Sequence, residues 1–87
     1  MPSYSNFEPK EGTVTAEETL TFALKYRQFL LINDSLTTNL LFKFNSSEDF
    51  GTLKPDEQVS LDMAHRTVIL KSEDGVASAS YRVWGIG

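Results

Sequence analysis

Residues 26–45 read YRQFLLINDSLTTNLLFKFN. Two apolar runs, Phe29-Leu30-Leu31-Ile32 and Leu40-Leu41-Phe42-Lys43-Phe44, flank Asn33-Asp34-Ser35-Leu36-Thr37-Thr38-Asn39. Both runs have strand length, and the segment between them consists of residues that bend the backbone or bond to it. The stretch predicts a β-hairpin. In its second arm Leu40, Phe42 and Phe44 face one way, while Leu41, Lys43 and Asn45 face the other. In the first arm, four consecutive apolar residues leave no polar face. That strand is expected to be central or to lie at an interface, which makes Phe29 and Leu31 candidate contact residues.

Downstream, residues 46–55 (SSEDFGTLKP) read as a loop in which Phe50 and Leu53 cap one end of the core. Residues 57–63 (EQVSLDM) alternate and place Val59, Leu61 and Met63 inward. Residues 64–66 read as a turn and residues 67–71 (TVILK) as a short apolar strand. Residues 72–75 (SEDG) read as a hairpin loop in which Gly75 takes a positive φ at little cost. Residues 76–86 form the last predicted strand. There Ala77, Ala79, Tyr81 and Val83 share the core side, while Arg82, Trp84 and Ile86 share the other. That second side is either another core contact or an exposed anchor, since Trp and Arg often dominate binding energy at interfaces.

Upstream, Thr15-Ala16-Glu17-Glu18 has the look of a helix N-terminus, with a cap before acids that suit the dipole. Residues 19–24 instead alternate with period two and place Leu20, Phe22 and Leu24 on one face. With threonine at the alternate positions, a strand is the better reading. Residues 1–12 (MPSYSNFEPKEG) are polar, with two prolines and a glycine, and read as an extended arm. Tyr4 and Phe7 are either incidental to that arm or rings that dock on a neighbouring subunit. The expected architecture is all-β: one antiparallel sandwich or barrel of about six strands over residues 13–87, preceded by the arm.

With 87 residues there is room for one core. A chain this short buries only roughly 60–65% of the surface its unfolded form exposes. Small domains compensate with disulfides, metals or oligomerisation. The absence of cysteine and the single histidine remove the first two routes, so self-association is expected. A net charge of −4 with scattered Lys and Arg argues against nucleic acid as a partner. The longest apolar run is four residues, so no membrane span is expected, and no secretory leader is read at the N-terminus.

Catalytic chemistry finds little to work with. His65 sits between Ala64 and Arg66 with no converging partner in sequence and reads as an exposed spectator. The acid pairs Glu17-Glu18, Glu48-Asp49, Asp56-Glu57 and Glu73-Asp74 lie in turns, and adjacent carboxylates on a strand point to opposite faces. None has the alternating spacing of a calcium loop, and no serine stands in a nucleophile elbow. No catalytic, cofactor or metal residue is therefore assigned.

FLLINDSLTTNLLFKFN, TLKPDEQVSLDM, VILKSEDG and YRVWGIG together resemble small β-sandwich proteins of tailed-bacteriophage virions. The resemblance rests on Ile32 to Ser35, Leu41 to Asn45, Leu53 to Leu61 and Arg82 to Trp84. It implies a non-enzymatic structural protein located in the virion, a capsid decoration or minor capsid protein, with a neck, collar or tail component second. Its partners would be copies of itself and other virion structural proteins, held through Tyr4, Phe7, Phe29, Leu31, Arg82, Trp84 and Ile86. A carbohydrate- or receptor-binding module that stacks Trp84 and Tyr81 on its ligand is the main rival expectation. A small regulator that pairs an edge strand with its target is another.

Overall fold

The computed structural model describes residues 7–45 and 49–87. Eight strands build it: β1 (Phe7–Val14), β2 (Glu18–Tyr26), β3 (Gln28–Asn33), β4 (Leu40–Lys43), β5 (Gly51–Leu53), β6 (Gln58–Leu61), β7 (His65–Ser72) and β8 (Ala79–Ile86). They form two four-stranded sheets ordered β1-β8-β3-β6 and β2-β7-β4-β5, with every pair antiparallel. The two sheets stack as a β-sandwich, and no helix occurs among the described residues. The chain changes sheet at almost every connection, which is the jelly-roll arrangement.

This ordering revises the expected hairpin. β3 pairs with β8 and β6, whereas β4 pairs with β7 and β5, so the two runs lie in different sheets. Asn33 is the reason. It is fully buried, and its Nδ2 donates to the carbonyls of Thr38 and Leu53, both at 2.9 Å. Its Oδ1 accepts from the Ser35 N–H at 2.9 Å, closing an Asx turn that swings the chain across the sandwich. The Asn-Asp-Ser signal was read correctly as a bend, but the bend is a corner between sheets. Residues 73–78, expected to close a hairpin, likewise link β7 in one sheet to β8 in the other. Gly75 does take a positive φ there, at 71°.

Eight strands replace the expected six because residues 7–12, expected as part of an arm, belong to β1, and residues 51–53, expected within a loop, form β5. Residues 7–14 pair along their whole length with β8, from Phe7 opposite Ile86 to Val14 opposite Ala79. Pro9 is tolerated because β1 is an edge strand, where one row of N–H groups has no ladder partner. The turn expected at residues 64–66 is mostly strand, since β7 begins at His65.

The core lies between the sheets. Phe22, Tyr26, Phe29 and Phe44 form a run of rings with centroids 5.3–6.3 Å apart, most of them edge to face. Leu31, Leu40, Val68, Leu70, Tyr81 and Val83 fill the remainder. Leu20 and Phe22 point inward as expected, but Leu24 is exposed, because the β2–β7 register slips between Thr21 and Tyr26. The bulge turns Tyr26 rather than Leu24 into the core.

Candidate functional site

Ligand sites in β-barrels and sandwiches sit in the mouth or between the sheets. Here the β3–β4 and β7–β8 loops leave a polar depression of about 290 Å³ at one mouth, lined by Thr37, Thr38, Asn39, Glu73, Asp74 and Ala77, while between the sheets side chains reach down to the backbone. A Cβ added at Gly85 would lie 2.6 Å from the Tyr26 ring, and one at Gly51 would lie 2.6 Å from the Phe42 ring. His65 does not point into a polar site; its ring stacks on Phe44 at 4.9 Å and 24°. Among the described residues no group of three or more His, Cys, Asp or Glu side chains could hold a metal ion. The polar groups that do enter the interior, Asn33, Ser35 and Ser72, are spent on backbone partners. A metal-binding interior therefore does not fit the donors present.

The outer face of the β1-β8-β3-β6 sheet is different. Register places Phe7, Pro9, Glu11 and Thr13 of β1 beside Ile86, Trp84, Arg82 and Ser80 of β8. On the other flank of β8 stand Gln28, Leu30 and Ile32 of β3, and beyond them Ser60 and Gln58 of β6. One strand direction thus runs from apolar to ionic. Phe7, Trp84, Ile86, Pro9 and Leu30 cluster toward one end, the next row carries Glu11, Arg82 and Ile32 with Asp34 bonded to Arg82, and Thr13 and Ser80 lie beyond it.

Trp84 is the hub of this surface. The Phe7 ring meets it in a T-shaped arrangement at 5.6 Å and 75°, and the Arg82 guanidinium lies 6.0 Å from its centroid. Phe7 itself is 53% exposed. Arg82 reaches Asp34 with two hydrogen bonds, Nε to Oδ2 at 2.7 Å and Nη2 to Oδ1 at 2.9 Å. Those bonds hold the Asp34 carboxyl below its usual range and push the Arg82 guanidinium further up. A shallow depression of about 380 Å³ is lined by Pro9, Lys10, Glu11, Arg82 and Trp84. The outer face of the other sheet is more polar. There Lys43 and Lys71 enclose the Phe50 ring at 4.3 and 5.1 Å, and Thr19, Thr21 and Thr67 flank the half-covered strands.

The contact residues expected from sequence are thus divided. Arg82, Trp84 and Ile86 share the outer face with Phe7. Phe29 and Leu31 are placed elsewhere: both are fully buried in the core of the single chain and offer no surface. Tyr4 lies outside the described residues. Leu30 and Ile32 were missed as members of the outer face. Period-two alternation through the Phe29–Ile32 run would have found them once β3 was known to be central. Asp34 was read only as a turn residue, and nothing local in sequence signals its bond to Arg82.

No protein-family model matches the sequence, and no curated protein matches it. Solved structures do match in shape. A cupin superfamily protein from Desulfitobacterium hafniense superposes with a TM-score of 0.60 at 10% identity, over 92% of this chain and 66% of that one. A cupin-2 domain protein from Shewanella frigidimarina gives 0.58 at 12% identity, over 93% of this chain and 71% of that one. A cupin domain from Bordetella pertussis gives 0.56 at 6% identity, over 100% and 85% of the two chains.

The fold is cupin-like. This overturns the expected likeness to phage virion proteins, and with it the capsid, neck, collar and tail roles. The phrases that carried that likeness are strand-and-corner grammar. The Asn-Asp-Ser corner and the alternating closing strand are what a jelly roll demands, and jelly rolls occur in proteins of many functions. At these identities the likeness to cupins is one of fold.

Proposed function

We propose that the chain is a non-catalytic association domain, a cupin-like sandwich whose interior is structural and whose work is done by its outer surface. The observation that carries this reading is the contrast between the two places a ligand could go. The interior is filled by Phe22, Tyr26, Phe29 and Phe44, while Phe7, Trp84, Leu30 and Ile86 stand on the outer face of one sheet. Aromatic residues and arginine grouped this way are the composition of protein–protein contacts. The small size of the domain makes self-association the first partnership to expect, because binding adds to the stability of a small core.

Light scattering of the purified chain over a hundredfold concentration range tests the reading. A mass of two or more copies that falls on dilution is the expected result. A monomer at every concentration would overturn self-association. A parallel thermal-shift series with divalent transition metals is expected to leave Tm unchanged, and a clear rise would reopen the interior or loops as a metal site.

A further inference from the structure

Resting on that reading of self-association, we infer that two copies pack face to face through the outer surfaces of their β1-β8-β3-β6 sheets, about a two-fold axis that runs along the strands between β8 and β3. Such an axis keeps position along the strands and exchanges the flanks of the sheet. Trp84 on β8 then meets the partner's Leu30 on β3, and Leu30 meets the partner's Trp84. In the same geometry Ile86 lies against the partner's Gln28, and Pro9 lies toward the partner's Ser60. An axis across the strands at the Trp84–Leu30 row would instead set the apolar Phe7–Ile86 row against the charged Glu11–Arg82 row. Sheets that pack face to face keep their strand directions within about 30° of each other, which an axis along the strands satisfies.

Size and charge agree with this occupant. Strands of four to eight residues at ~3.3 Å per residue, four abreast at ~4.8 Å, give a flat face of roughly 300–500 Å². Upright side chains such as Trp84, Leu30 and Phe7 raise its accessible area toward the ~800 Å² per partner of a stable complex. That is about one-sixth of the 5118 Å² surface of the chain. Trp84 and Leu30 would form the centre together with Arg82, which faces the partner's Ile32 with its charge already paired to Asp34, and Glu11, Gln58 and Ser60 on the outer strands would form a wet rim. Charge does not oppose the pairing, because Arg82 and Asp34 already neutralise each other within one copy.

Trp84 is the sole tryptophan of the chain, so its emission reports this face directly. The experiment is a dilution series of the full chain, read by sedimentation for mass and by fluorescence for Trp84. Leu30→Asp and, on the opposite face, Thr67→Asp are measured alongside, with folding checked by far-UV circular dichroism. The expected result is a dimer whose Trp84 emission shifts to the red as the mass falls. Leu30→Asp should weaken it at least tenfold, and Thr67→Asp should leave it unchanged. A dimer whose Trp84 emission stays constant on dissociation would overturn this face while leaving self-association intact, and that readout decides even if Leu30→Asp fails to fold. An open-ended series of larger masses would overturn the two-fold closure. A monomer throughout would overturn both the face and the reading beneath it.

Discussion

Asn33 shows how much of this fold depends on one side chain. Its carboxamide donates to two carbonyls and accepts from one N–H, and its backbone also bonds to Glu57 and Asp56. Asn33→Asp removes both donors and points a carboxylate at two carbonyl oxygens inside the sandwich. Leaving buried groups unsatisfied costs about 1–3 kcal/mol each, so with two carbonyls stranded the variant should lose about 2–6 kcal/mol in urea unfolding. Glu8 makes a different demand. Its Oε1 accepts from the Ala23 N–H and from the Tyr26 hydroxyl, both at 2.9 Å, so β1 of one sheet holds the bulge of β2 in the other. The Ala23 bond, helped by Tyr26 and Lys10, outweighs burial and holds the Glu8 carboxyl below its usual value. Its contribution is therefore complete above the ordinary carboxylate range of about pH 4 and is lost as the pH falls through the lowered folded-state value. Glu8→Gln should be less stable than the parent at pH 7, and the gap should narrow in melts taken toward pH 3. Asp34 and Asp74, lowered by Arg82 and by the Val76 and Ala77 N–H groups, keep a residual acid slope in the variant. A gap that holds constant with pH would contradict the Glu8 assignment.

At the scale of elements, the close fit of β2 to β8 sets the tightest steric constraint. The β2 bulge lays the Tyr26 ring on the backbone of β8 where Gly85 has no side chain. Gly85→Ala puts a methyl group 2.6 Å from that buried ring, which itself packs on Phe22 and Phe29. Overpacking of this kind costs about 1–3 kcal/mol, and a lower thermal midpoint in calorimetry would show it. Much of the element pattern was legible in sequence, because it follows from alternation. The two faces of β8, the inward set of β6 and the strand character of β2 were all readable from period two. Partners were not readable. β3 and β4 are separated by a bend that reads alike whether it closes a hairpin or crosses between sheets, and only the burial of Asn33 decides. β1 was hidden because Pro9 and Gly12 suggest irregular backbone, whereas an edge strand tolerates both. The outer-face cluster was half legible for the same reason. Trp84 and Arg82 share one strand, but Phe7 and Leu30 join them only through pairing with remote segments.

For the whole molecule, that remoteness of partners sets the folding rate. Phe7 pairs with Ile86, so the strand nearest the start closes on the strand nearest the end. β2 pairs with β7 and β3 with β8, and among the described strands only β4 and β5 are both consecutive and adjacent. Closing such loops costs chain entropy before any contact returns it, which places β-sandwiches among the slow two-state folders. Refolding from urea is therefore expected on the ~1 ms to 1 s scale, far from the microseconds of a helical bundle of this length. Trp84 is well placed to follow it, since it stands on β8 with Pro9 of β1 on one side and Leu30 of β3 on the other. Stopped-flow fluorescence should show one main phase at low protein concentration. Phe7→Ala removes the ring that abuts Trp84 at the edge strand. Because β1 must wait for β8 to be placed, its contacts are expected to form after the rate-limiting step. The variant should then speed unfolding while leaving the refolding rate nearly unchanged. A matching loss in the refolding rate would mean instead that the outermost pairing of the chain belongs to its folding nucleus.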